Sequence, residues 1–296
     1  MATRIQIAKQ DIIKTFEELP RILRSADVAK TFEKNRAFWR LAKSSSLRNF
    51  TEFLVEKTAL KPVRFGFPQR EVSGYTWGNV PLLEVLLGLV DNSYYSHYTA
   101  VRLHGLTEQV PKTVYLNQEK LSASTNYSTH PELFSQDAID GAFQKSPRVS
   151  QNEAVNEDIR IIFLSSAYKA MLGVTTETVN YGEDHDLILR FTNLERTLID
   201  IVVRPFYSGG VFEVAKVFEN AKDQVSVNRL KAMLKQMAFG YPYHQAIGFY
   251  LERAGYKQSQ IDMFKNLPME RDFYLTHAMG KTSYLNRWRL HIPEGF

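Results

Sequence analysis

The stretch that decides the fold of the first quarter of the chain is residues 43–77, KSSSLRNFTEFLVEKTALKPVRFGFPQREVSGYTW. Three serines open it, and serine favours the capping position at the start of a helix. Apolar residues then recur at helical spacing from Leu47, which predicts a helix over residues 46–58. Two strands are predicted at residues 61–67 and 71–77, joined by a turn of Pro68, Gln69 and Arg70.

Two more helices are predicted upstream of this stretch. Residues 5–19 carry apolar side chains at helical spacing, and Pro20 ends the pattern. A short extended piece follows at residues 21–23, and Ser25 can cap a second helix. Three helices followed by a two-stranded ribbon is the order of a winged helix–turn–helix. We therefore predict an α+β protein whose residues 1–78 form an N-terminal winged helix–turn–helix domain.

The positive charge of the chain is concentrated in this first region. Residues 1–78 hold 15 Lys and Arg against 8 Asp and Glu, whereas residues 79–296 hold 22 against 24. Such asymmetry favours an anionic partner for one domain, and nucleic acid is the leading candidate. A solvated basic face is the alternative, because charge alone does not identify a partner.

Twelve side chains are predicted to contact double-stranded DNA. In a winged helix, the third helix enters the major groove with its N-terminal side chains foremost. Arg48 and Asn49 are of the types that pair with guanine and adenine, and the serines and lysine before them suit phosphate. The predicted wing adds cations and an amide for the backbone or the minor groove. The full set is Lys43, Ser44, Ser45, Ser46, Arg48, Asn49, Thr51, Glu52, Lys61, Arg64, Gln69 and Arg70.

The same residues also have structural explanations. Ser46 is a natural helix cap, and Arg48 can pair with Glu52 four residues later. Winged helices also serve as protein-docking modules, which is one alternative function. The basic excess favours DNA over that alternative.

Residues 79–296 are predicted to form a second domain, mixed α/β over residues 79–192 and mainly helical over residues 193–296. Asn79 and Pro81 can start a helix that runs to about Leu89, and Ser96 begins a short helix that Gly105 ends. We expect loops around one short helix over residues 118–157. Strands are predicted at residues 113–116, 159–164, 187–191 and 284–292, and helices at residues 194–204, 211–222, 226–239 and 242–254.

Several enzyme classes are disfavoured by the composition and the motifs. The 296 residues include no cysteine, which excludes disulfides, thiolate metal sites and thiol catalysis. No Asp or Glu stands two residues before a lysine, so the pattern of restriction-type nucleases is missing. Phosphate-binding-loop, H-E-x-x-H and G-x-S-x-G motifs are missing too. We expect no enzyme activity, no catalytic residues, no cofactor and no metal.

The enzyme alternative is a metal-dependent nucleotidyltransferase or nuclease centred on Asp184 and Asp186. Two carboxylates at this spacing can hold a divalent cation. A solvated turn before the strand at residue 187 explains the same acidic residues, and we favour that interpretation.

Two motifs in the second domain resemble those of a known family. They are SHYTAVRLHGLTEQVPKTVYL at residues 96–116 and FTNLERTLIDIVVRP at residues 191–205. Together with the N-terminal winged helix they resemble the AbiEi family, the antitoxins and predicted transcriptional regulators of bacterial abortive-infection (phage-defence) systems. The motif residues carried over are His97, His104, Arg196 and Asp200. An intrahelical ion pair would also explain Arg196 and Asp200, which lie four residues apart.

The resemblance implies the function of a type IV toxin–antitoxin system. The protein would be a repressor that binds inverted repeats in its own promoter, with a second copy on the other half of the repeat. The partner would be a nucleotidyltransferase-like toxin, opposed by the second domain without necessarily forming a stable complex.

We expect a cytoplasmic protein with no membrane partner. The first residues lack the apolar core of a signal peptide. The most apolar run, residues 80–90, contains Glu84 and is shorter than the roughly 20 residues that span a bilayer.

Overall fold

The structure is a computed structural model and describes residues 3–120, 134–167, 169–180 and 186–296. Its N-terminal elements follow the predicted order of helices and hairpin, and strands β1, β3 and β2 form one antiparallel sheet in that order. The single helix expected over residues 5–19 is wrong, because the helix is divided at Ala8. The elements are α1 (Arg4–Ile7), α2 (Lys9–Glu17), β1 (Ile22–Leu23), α3 (Ser25–Asn35), α4 (Leu47–Lys57), β2 (Leu60–Phe67) and β3 (Arg70–Trp77).

Aromatic packing fixes α4 on α2 and α3. Phe50 of α4 is 1% exposed, and its ring lies 4.8 Å from Phe32 of α3 and 6.2 Å from Phe16 of α2. Trp39, in the connection between α3 and α4, stacks on Phe50 at 5.4 Å. Aromatic pairs at these distances add to the energy of burial. The connection before α4 is therefore anchored in the core.

A six-stranded mixed sheet forms the centre of the second part of the chain. Its strand order is β6-β7-β5-β4-β9-β8, and the β5–β7 and β4–β9 pairs are parallel. The helix expected within residues 118–157 is present, but β4, β6 and β8 were not predicted. The elements are α5 (Leu82–Leu89), β4 (Ser93–Tyr95), α6 (His97–Leu103), β5 (Thr113–Glu119), α7 (Gln136–Phe143), β6 (Glu153–Asn156), β7 (Ile159–Ser166), β8 (Val174–Asn180) and β9 (Asp186–Thr192).

The rest of the chain is helical and ends in a small sheet. The single final strand predicted at residues 284–292 is wrong, because a turn with Arg289 at φ 47° divides it into two strands. Within the described residues, none of the helices combines the length and apolarity that crossing a membrane requires. The elements are α8 (Leu194–Val203), α9 (Val211–Asn220), α10 (Val227–Met237), α11 (Tyr243–Arg253), α12 (Gln258–Lys265), β10 (Phe273–Tyr274), β11 (Thr282–Leu285) and β12 (Leu290–Pro293).

The two faces of the six-stranded sheet bury different partners. One face shares an apolar core with α6, α7 and the later helices α8 to α12. The other packs against α5 and against the β2–β3 hairpin, which contributes Phe65, Phe67 and Val72. The ring of Phe67 meets Phe163 of β7 edge-on at 5.8 Å. The hairpin therefore contributes to the cores of both parts of the chain.

Candidate nucleic-acid interface and central cavity

The loop before α4 is held by one arginine. Arg36 Nη2 donates to the carbonyl oxygens of Ala42, Lys43 and Ser45 at 3.2, 2.7 and 3.2 Å. Loops are ordinarily the most mobile part of a domain, and such hydrogen bonds restrict them. Arg36 therefore fixes the path of the backbone into α4. It also holds in place the loop that carries the exposed Lys43 and Ser44 just before that helix.

The N-terminal end of α4 is polar and exposed. Ser46 caps the helix, as predicted, with its Oγ accepting from the Asn49 backbone N–H at 3.2 Å. The predicted pair between Arg48 and Glu52 is confirmed, with Nε and Oε1 2.9 Å apart. Asn49 is exposed and Thr51 is half-buried. Apart from Thr51 and the half-buried Ser45, the residues predicted to contact DNA from this end all face solvent.

The predicted wing residues lie in two different environments. Lys61 Nζ donates to Asn79 Oδ1, and Arg64 is 3.4 Å from Glu71, both at the surface. At the tip, by contrast, the guanidinium of Arg70 lies 4.4 Å from the ring centre of Phe163. Gln69 lines a cavity in the second part of the chain. The tip of the hairpin therefore contacts the second part of the chain.

His104 joins α6 to the sheet. Its Nε2 lies 2.8 Å from the carbonyl oxygen of Thr192, and its ring meets Phe191 edge-on at 5.1 Å. Burial lowers the pKa of His104, and the Thr192 carbonyl offsets this only in part. The neutral form of the imidazole is therefore favoured, and it carries no charge at the C-terminal end of α6. The contact is structural.

Arg196 and Asp200 form the predicted ion pair, but in the interior. Arg196 Nε and Asp200 Oδ1 are 2.8 Å apart, and Arg196 Nη1 donates to the Leu172 carbonyl at 2.7 Å. Burial raises the pKa of the Asp200 carboxyl, and the Arg196 guanidinium lowers that pKa by a smaller amount. A buried pair of this kind is costly to break, because removal of one partner leaves the other charge uncompensated.

His97 sits at the first position of α6 in a left-handed conformation, with φ 52°. Its Nδ1 lies 2.8 Å from Ser96 Oγ, and its ring meets Tyr207 edge-on at 5.3 Å. Burial lowers its pKa to about 3, and Arg204 and Arg196 push it in the same direction. The imidazole is therefore neutral at pH 7.

A cavity of about 410 Å³ brings three of the four motif residues together. His97, Arg196 and Asp200 line it, whereas His104 does not. Sequence reasoning missed most of the other polar residues of the lining. Two of them gave a usable signal: Asn117, an amide inside the apolar strand pattern VYLNQE (residues 114–119), and Arg204, the penultimate residue of the second motif. The missed polar residues include Asn117, Arg148, Ser150, Asn152, Lys169 and Arg204.

The acidic pair of the enzyme alternative is only partly visible. Asp184 lies outside the described residues, and Asp186 is exposed at the start of β9. In the part of the chain that the structure describes, no group of three or more His, Asp or Glu side chains is arranged to hold a metal ion.

No model of a known protein family matches this chain, and no curated protein matches it either.

Proposed function

We propose that the protein is a DNA-binding transcriptional regulator whose first 78 residues act as a winged helix. The observation that carries the proposal is the exposed polar end of α4, with Lys43, Arg48 and Asn49 displayed on a backbone that Arg36 and Phe50 hold in place. A fixed backbone matters, because a side chain that recognises a base edge must have the orientation that its hydrogen bonds to the base require.

The ion pair on α4 is compatible with base recognition. Arg48 and Glu52 are both largely exposed, and exposed pairs at this spacing contribute about 0.3–0.5 kcal/mol. A bidentate arginine–guanine contact is worth about 1–3 kcal/mol of discrimination. Arg48 therefore loses little when it exchanges Glu52 for a base in the major groove.

We propose that the loop before α4 and the outer part of the β2–β3 hairpin contact the phosphates of the DNA backbone. Lys43 has no ion-pair partner among the described residues, and Arg64 pairs only at the surface. Arg70 is engaged with Phe163, so we assign it a smaller role than Lys43.

The wider role rests on the resemblance to the AbiEi family. We propose autorepression of a type IV toxin–antitoxin operon through inverted repeats, with the second domain opposing a nucleotidyltransferase-like toxin. The support for this part is the pair of motifs, of which the second supplies the buried pair of Arg196 and Asp200.

Fluorescence anisotropy with the full chain and a duplex from upstream of its own gene tests the DNA contact. Arg48→Ala should weaken binding by about 1–3 kcal/mol and relax preference at one base position. Lys43→Ala should weaken binding to every sequence and reduce the salt slope by about one. Lys57→Ala is the matched control, because it removes one exposed cation from the opposite end of α4.

Equal effects of Arg48→Ala and Lys57→Ala would contradict the orientation of α4 in the groove. If the full chain bound no duplex, but co-purified at high salt with the product of the neighbouring gene, the N-terminal part would be a protein-docking module instead.

A further inference from the structure

The cavity lies at a place where α/β sheets commonly bind ligands, and the DNA-binding proposal does not use it. It is at the carboxyl ends of the parallel strands β5 and β7, with residues of α8 along it. Ligands of open α/β sheets typically bind beyond the carboxyl ends of the strands. Its volume of about 410 Å³ also falls within the roughly 300–1,000 Å³ of small-molecule sites.

The lining presents three buried acceptor atoms that have no hydrogen bond within the described residues. Asn117 and Asn152 are 3% and 8% exposed, and the Oδ1 atom of each lacks a donor. Asp200 Oδ2 also lacks one, whereas its Oδ1 accepts from Arg196. Buried polar atoms of folded proteins nearly always have partners. Three such acceptors in one cavity fit a ligand that donates N–H or O–H groups.

The mouth of the cavity is positively charged. Arg148 and Arg204 are exposed, and neither has an ion-pair partner among the described residues. Both also line a neighbouring depression of about 470 Å³, which adds Lys145. Lys169 is half-buried on the cavity wall. Two unpaired guanidinium groups at one mouth suit a phosphate, because their donors match its oxygens in pairs.

Aromatic rings complete the lining. Tyr207 and Phe239 belong to the wall, and the Arg204 guanidinium lies 5.9 Å from the Tyr207 ring centre. Aromatic faces stack on nucleobases of any kind. Tyr207 is only 3% exposed, whereas Phe239 is half-buried, so Phe239 is the ring better placed to contact a base.

We propose that this cavity binds a nucleoside monophosphate. The phosphate contacts Arg148 and Arg204 at the mouth, and the N–H and O–H donors of base and ribose face the interior acceptors. Gln69, at the tip of the hairpin, is part of the same lining, so the ligand also touches the N-terminal part of the chain. Nothing in this proposal depends on DNA binding.

Isothermal titration calorimetry with the full chain tests it, using AMP, CMP, GMP and UMP, their nucleosides, and inorganic phosphate. At least one monophosphate should bind with a Kd below about 1 mM. The double variant Arg148→Ala/Arg204→Ala should weaken that binding at least about tenfold. The charge-matched control is Lys216→Ala/Lys222→Ala. It removes two exposed cations that do not line the cavity, so it should leave the Kd unchanged.

A second variant tests the interior. Asn117→Leu replaces a buried amide, whose Oδ1 has no hydrogen bond within the described residues, with an apolar side chain of similar size, so it should abolish binding without lowering the midpoint of urea unfolding. No binding by any of the four monophosphates would overturn the proposal. Three other results would also overturn it. Inorganic phosphate could bind as tightly as a monophosphate, or a nucleoside could bind as tightly as its monophosphate. The lysine control could also weaken binding as much as the arginine variant does.

Discussion

Two arginine–carboxylate pairs with the same spacing and nearly the same geometry sit at opposite extremes of solvent exposure. Arg48–Glu52 is 2.9 Å long with side chains 85% and 55% exposed, whereas Arg196–Asp200 is 2.8 Å long with side chains 4% and 9% exposed. The exposed pair can exchange partners at little cost, and the buried pair cannot. The same four-residue spacing therefore gives an exchangeable pair at the surface in one region and a fixed pair in the interior in the other.

The buried pair should give the largest effect on stability. Asp200→Asn keeps the shape of the side chain but leaves the Arg196 charge without compensation in the interior. We expect the free energy of unfolding to fall by about 3–5 kcal/mol. Urea unfolding of the full chain measures this, and a loss below about 1 kcal/mol would contradict the buried placement of the pair.

Acid should destabilise the same region through His97. Its folded-state pKa of about 3 lies below the ordinary 6.5, so the unfolded chain binds more protons than the folded chain as the pH falls below 6.5. The free energy of unfolding then decreases by up to about 1.4 kcal/mol per pH unit.

Between pH 7 and pH 5, His97→Gln should therefore lose about 2 kcal/mol less stability than the unchanged chain. Paired urea titrations at the two pH values measure this difference. The same loss in both proteins would show that His97 is accessible to protons in the folded state.

The exposed pair should give the smallest effect. Glu52→Gln removes the partner of Arg48 and should change the free energy of unfolding by no more than about 0.5 kcal/mol. Because salt screens exposed charges, the difference should vanish in about 1 M salt, whereas that of Asp200→Asn should persist. A large, salt-resistant loss with Glu52→Gln would remove the contrast between the two pairs.

Local signals explain what the sequence predicted. The cap at Ser46, the spacing of Phe50 and Leu54, and the alternation after Leu60 are local properties, so α4 and the hairpin were found. Strand β8, residues 174–180, was missed because its sequence VTTETVN is largely polar and much of it is exposed at the sheet edge.

The cavity was beyond prediction for a different reason. Its lining comes from the hairpin tip, from β5 and β7, and from α8, which meet only through the strand order of the sheet. The spacing of Arg196 and Asp200 predicts their bond, but no local pattern indicates that the bond lies in the interior beside Asn117. Burial depends on the packing of distant segments.

The most direct test of the account is the salt dependence of duplex binding by the full chain. With a duplex from upstream of its own gene, the logarithm of the binding constant should fall linearly with the logarithm of salt concentration between about 50 and 200 mM. The slope should decrease when Lys43 and Arg48 are both changed to Ala, and not when Lys57 is. Absence of binding at the lowest salt, or a slope that the double variant leaves unchanged, would contradict a DNA-binding role for α4.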